Sequence, residues 1–180
     1  MPQTRRLVAA IIGNNSPSQS VFEMAEAIGC SLVDAGFRIA TGGLGGVMTA
    51  ASRGGRASTA WTEGSIIGGL PGLDADAANP YVDIAIPTGM NYARNTLLVA
   101  LADVVIAVGG GAGTLSEMAL AWQHDKPIIA LDVGDGWSAQ LAGVSLDHRH
   151  AEPIHRATTP SEAIDLATQL APRSSHKSGF

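Results

Sequence analysis

The chain has little charge, few aromatic rings, one cysteine and almost no lysine. Charged residues make up 15% of its 180 positions and aromatic ones 4%, with a formal net charge of −5. No basic cluster occurs, which argues against nucleic acid or an acidic membrane surface as the main partner. Cys30 is the single cysteine, so no disulfide forms within one chain, which fits a reducing cytoplasm. It falls in a helical stretch and reads as core packing. The two lysines, Lys126 and Lys177, lie away from every glycine turn. That excludes a P-loop, whose glycines run into GK[ST], and pyridoxal phosphate, whose Schiff base needs a lysine at the site. A membrane-length apolar run is missing too. The stretch after Arg6 is too short for a signal peptide or a membrane span and reads as a first strand.

What the chain does have is 46% hydrophobic residues and 22 glycines. At this length one core is expected: a single domain over residues 1–171, with 172–180 as a disordered tail. The organising stretch is Asp103 to Glu117, DVVIAVGGGAGTLSE. Val104 to Val108 is an unbroken apolar run, as in a strand buried on both faces. Gly109, Gly110, Gly111 and Gly113 follow, and a helical pattern begins at Thr114. Strand, glycine turn and helix start make an anion site, because glycines admit a close ligand and the first helix amides lack intrahelical partners.

The rest of the chain alternates in the same way. Strands are expected at Leu7–Ile12, Phe37–Ala40, Ser65–Gly68, Val82–Ile86, Val104–Val108 and Pro127–Leu131. Helices are expected at Pro17–Ala35, with Ser16 as N-cap, at Val47–Arg53, at Asn91–Leu101, from Thr114 to about His124, and from Ser161 to Leu170. Residues 132–159 read as irregular apart from a short helix over Trp137–Ala142. Strands alternating with helices predict an α/β doubly wound parallel sheet with helices on both faces.

Ligands of such sheets sit outside the carboxyl ends of the strands. Four segments converge there: Gly13-Asn14-Asn15-Ser16, the TGGLGG turn with Gly42, Gly43, Gly45 and Gly46, the stretch Thr88–Asn95, and Gly109–Glu117. Arg94 brings a planar fork suited to phosphate or carboxylate. Gly110, Gly111, Ala112, Gly113 and Thr114 bring backbone amides. The dinucleotide fingerprint G-x-G-x-x-G fails, since Met48 and Ser116 stand at its last position. Thr114-Leu115-Ser116-Glu117 also reads as a capping box, with Glu117 bonding back to the cap. Glu117 is then expected to stay ionised, held by that cap and by Arg94. His148, His150 and His155 lack a completing ligand set, so no metal site is expected.

Together, TGGLGGVM, NPYVDIAIPTGMNYARN and GGGAGTLSE resemble the molybdenum-cofactor carriers within the lonely-guy (LOG) and SLOG superfamily of Rossmann-like domains. The likeness spans roughly Val8 to Leu131. For the carriers it implies a homo-oligomer that holds a pterin phosphate without turning it over; the apolar excess of Leu97, Leu98, Val99, Leu101, Met118, Leu120 and Trp122 on the two flanking helices leads to a homodimer or homotetramer that buries it. For the LOG enzymes it implies hydrolysis of a nucleoside 5′-monophosphate at its N-glycosidic bond, with Arg94 and Glu117 at the catalytic positions. Gly109 stands where the LOG pattern has proline, and Asn95 where it has lysine. Of the residues just before the arginine, Met90 alone matches. These departures weigh against hydrolysis and leave binding untouched. The expected ligand is a small phosphorylated molecule, the molybdenum cofactor or a nucleotide, with no other cofactor required.

Overall fold

A computed structural model describes residues 5–174. Seven parallel strands lie in the order β4-β3-β2-β1-β5-β6-β7. They are β1 (Val8–Gly13), β2 (Arg38–Thr41), β3 (Ile66–Leu70), β4 (Ile84–Pro87), β5 (Val104–Val108), β6 (Ile128–Leu131) and β7 (His155–Ala157). The chain builds outward from β1 to β4, then crosses back and builds the other half from β5. The order therefore reverses between β1 and β5, which pair from Ala9↔Val104 to Gly13↔Val108. In open α/β sheets such a reversal leaves a crevice at the strands' carboxyl ends.

Alternate residues of each strand feed two separate cores. Ala9, Ile11, Ile39, Val104, Ile106 and Val108 pack under α1 (Gln19–Asp34), α2 (Val47–Ala57) and α6 (Pro160–Ser174). Val8, Ala10, Ile12, Val105 and Ala107 face α3 (Arg94–Leu101), α4 (Ala112–Gln123) and α5 (Trp137–Leu141). The β5 side chains are all buried, as their unbroken apolar run requires.

Several boundaries differ from the sequence reading. Helix α1 is capped by Ser18, whose Oγ accepts from the Val21 amide, and not by Ser16. Helix α2 runs on to Ala57 through Gly54 and Gly55. The helix continues through them because it packs closely on α1: a Cβ on Gly54 would collide with the Glu26 carbonyl, so the position needs a bare backbone. The helix expected from Asn91 splits into a 3₁₀ turn, Asn91–Ala93, and then α3. Strand β7 lies in the segment read as irregular. It is three residues long, His-Arg-Ala, at a sheet edge, and carries no apolar alternation to reveal it. Helix α6 continues to Ser174, so its backbone covers residues assigned to the tail; the remainder of that assignment, 175–180, lies outside the described residues. Cys30 is half-buried and donates to Asp34 Oδ2 at 3.7 Å, so it is not core. Among the described residues no helix is long and apolar enough to cross a membrane.

Candidate functional site

The crevice between β1 and β5 contains a cavity of about 270 Å³. Its floor is Ile11, Ile12 and Gly13 at the end of β1, and its walls come from the four segments expected to converge. Asn14, Gly42, Arg94, Asn95, Gly111, Gly113, Thr114 and Glu117 all line it. Asn15, Met48 and Tyr92 line it as well. Asn15 and Tyr92 fall in segments expected to converge though neither was singled out as a site residue, and Met48 reaches the cavity from the first turn of α2.

Arg94 opens α3 and is driven inward, its side chain 12% exposed. It has room because position 42 has no side chain. A Cβ there would collide with the guanidinium and with Met48 Sδ. Nη1 of Arg94 donates to Glu117 Oε1 at 3.3 Å, longer than the 2.7–2.9 Å usual for such charge-assisted bonds. Among the described residues this is its one hydrogen bond, so most of the donor fork remains free.

Glu117 departs from expectation in two ways. Helix α4 begins at Ala112 with Gly111 as N-cap, so Thr114 sits in the first turn and no capping box forms. The helix takes in Ala112 and Gly113 as well, so it starts earlier than the apolar pattern placed it. Glu117 is therefore turned into the protein, 6% exposed, and faces Arg94. Burial raises its carboxyl to about 7, with the Arg94 charge pulling the other way and only partly offsetting it. The expectation of an acid held ionised by a cap fails because the cap does not exist.

Several amides at the start of α4 and in the turn before it have no acceptor in the protein among the described residues. Leu115 N is the first of α4 to find its helical partner, at Gly111 O, 3.0 Å away. The N–H groups of Ala112, Gly113 and Thr114 precede it and lack intrahelical acceptors. In the turn before them, the N–H groups of Gly110 and Gly111 have no protein partner among the described residues. Asn95 donates to Ser116 Oγ, which donates to Gly113 O, so Asn95 ties α3 to the first turn of α4. Asn14 Oδ1 is buried without a hydrogen-bond partner, while its Nδ2 donates to Ser16 O.

The other glycine turn behaves differently. The Val47 amide is bonded to Asn14 O, and a Cβ on Gly45 or Gly46 would meet Asn15 or the Asn14–Asn15 backbone. Gly43 packs against Gly68 and Leu70. These three glycines join loops to one another and do not line the cavity, nor do Ser16, Met90, Gly110 or Ala112.

A larger cavity, about 330 Å³, lies at the opposite end of the sheet between the end of α4 and the starts of β6 and β7. Trp122, Lys126, His150 and His155 line it. His150 is fixed edge-on to Trp122 and hydrogen-bonds the Trp122 carbonyl oxygen at 2.7 Å. Lys126 points its Nζ at Ala100 O. Among the described residues no group of three or more His, Cys, Asp or Glu could hold a metal ion. The smaller cavity carries the buried acid, the partly free arginine and the free amides.

Comparison with known proteins agrees with that architecture. The SLOG cluster4 family model matches residues 6–164. The chain belongs to that family. A cytokinin riboside 5′-monophosphate phosphoribohydrolase of Mycobacterium tuberculosis is 32% identical over 174 residues, covering 87% of this chain and 89% of the relative. The molybdenum cofactor binding protein of Rippkaea orientalis superposes with a TM-score of 0.81 at 33% identity, covering 93% of this chain and 98% of that one. The molybdenum cofactor carrier protein of Chlamydomonas reinhardtii does so at 0.77 and 30%, covering 93% and 99%. The SLOG fold expected from the three motifs is thus the fold observed.

Proposed function

We propose that this SLOG protein binds a phosphorylated, nucleotide-like ligand in the β1/β5 crevice and carries it without turnover, the molybdenum cofactor or a related pterin phosphate being the cargo. The observation that carries the reading is Arg94, buried beside a run of unpartnered amides with most of its donors unused. Phosphate sits against Gly110 to Thr114, where the α4 dipole and those amides favour negative charge. Asn14 Oδ1 offers an acceptor to a ring N–H or hydroxyl of the ligand. Gly13 forms part of the floor, and Gly42 and Asn95 shape the walls. The likeness to the Rippkaea and Chlamydomonas proteins supports the same cargo. No resident cofactor is needed, and the cytoplasm is the expected compartment.

A second reading, hydrolysis of a nucleoside 5′-monophosphate, is favoured by one observation. Glu117 titrates near 7, the range in which a carboxyl serves as acid or base at neutral pH. The name of the mycobacterial relative points the same way. In that reaction Arg94 anchors the substrate and Glu117 assists water or stabilises the sugar cation.

Assembly belongs to the same proposal. Leu97 and Leu101 on α3 are 49% and 42% exposed, and Ile84 and Ile86 on β4 are 45% and 44%. Ile84 pairs in register with Ile67, which faces α3, so the four share one side of the sheet. Met118 and Trp122 of α4 are buried and contribute nothing to that surface. An apolar face of this kind marks an interface, and a homodimer or homotetramer covers it.

Incubation with AMP followed by assay for free adenine separates the two readings. No release from any nucleoside monophosphate leaves carriage standing. Release by the wild type that Glu117→Gln abolishes, with AMP still bound, overturns it.

A further inference from the structure

Ser138 is fully buried at the start of α5, in the segment the sequence left without a role. Its Oγ accepts from the Gly109 amide and donates to Leu131 O, both at 2.7 Å. One hydroxyl thus joins the carboxyl ends of β5 and β6. The backbone beside it holds the same turn: Ser138 N donates to Gly109 O at 3.1 Å and Trp137 N to Gly110 O at 3.0 Å. Gly136 makes this approach possible, since a Cβ there would strike the Gly109–Gly110 backbone.

These bonds fix where the amides of the turn point. Among the described residues no peptide bond is cis, and a trans peptide directs its C=O and N–H to opposite sides. With Gly109 O and Gly110 O drawn onto α5, the N–H groups of Gly110 and Gly111 are turned away from it. Gly111 itself lines the cavity. Both N–H groups are unpartnered among the described residues, and Gly110 is buried. A buried amide such as that of Gly110 is costly unless a ligand or an ordered water supplies an acceptor. The carbonyl bonds also polarise the two peptides in the sense that strengthens their N–H donors.

We propose that Ser138 is a positioning residue for anion binding, holding the Gly109–Gly111 turn so that its amides present to phosphate. The role rests on the phosphate site proposed above. It acts through the turn and not by touching the ligand.

Calorimetric titration with inorganic phosphate tests it on wild type, Ser138→Cys, Ser138→Ala and Ile129→Val, the last a buried β6 change away from the turn. Affinity per folded molecule should fall in the order Ser, Cys, Ala, with a loss of roughly tenfold or more at Ala. Ile129→Val should lower the melting temperature and leave the affinity alone. Should Ser138→Ala not fold, Ser138→Cys keeps the shape with a poor hydrogen-bonding group and carries the test. Wild-type affinity retained in folded Ser138 variants overturns this inference and spares the phosphate site. A wild type that does not bind phosphate overturns both.

Discussion

Replacing Glu117 by Gln removes a titration that the fold opposes, and its signature is a change in how stability depends on pH. The carboxyl moves from an ordinary 4.5 to about 7 in the folded chain because burial disfavours its charged form. Between those two values the folded chain keeps a proton that the unfolded chain has released. Stability therefore falls as pH rises through that window and levels off above about 7. At about 1.4 kcal/mol per pH unit the full effect is about 3 kcal/mol, or roughly 6–12 °C in melting temperature for a domain of this size. Other shifted carboxyls do not interfere. Glu26, Asp103, Asp147 and Glu162 are lowered by their partners, so their contributions are lost only as pH falls below the ordinary carboxylate range. Urea unfolding at half-unit steps from pH 5 to 8.5 should show the wild type losing stability while Glu117→Gln stays flat. Parallel curves for the two proteins would refute the assignment of that titration to Glu117.

Other consequences of the site are open to simpler tests. Arg94→Ala should weaken binding of inorganic phosphate by roughly a hundredfold, as loss of a charged hydrogen-bond donor costs a few kcal/mol; spectroscopic titration should also show Glu117 ionising at higher pH, because Arg94 is what lowers it. Gly42→Ala should mimic Arg94→Ala in binding while leaving the charge in place, since a Cβ at 42 displaces the guanidinium; phosphate calorimetry decides, and unchanged affinity would show that Arg94 does not need that space. Leu97→Lys paired with Ile86→Lys should reduce the mass seen by light scattering, because both residues lie on the exposed apolar side; a wild type that is monomeric at micromolar concentration would remove the interface altogether.

The parts of the fold that depend on burial alone were legible in the sequence. Val104–Val108 announces a doubly covered strand, and of the glycines after it Gly111 and Gly113 do line the cavity. Arg94 and Glu117 were legible as a pair because each follows a strand's carboxyl end. What was hidden depends on contacts between segments far apart in the chain. Glu117 looked like a cap partner because TLSE has that local spacing, yet Gly111 starts the helix a turn earlier and points the carboxyl at Arg94. Gly43, Gly45 and Gly46 looked like ligand glycines, but the loop carrying Asn14 and Asn15, the β3 segment at Gly68 and Leu70 occupy the space beside them. Ser138 gave no signal, since a serine in a short helix gains its meaning only from the β5 turn packed against it.

A phosphate-bearing ligand of this crevice should lie against the start of α4. Amide resonances of Gly110 to Thr114, followed while AMP is added to the isotope-labelled protein, test it most directly. Saturable shifts of those amides, strongest at Gly110 and Gly111, are expected, together with their loss in Arg94→Ala. Shifts confined to the residues around Trp122 and His150 at the opposite end of the sheet would contradict it.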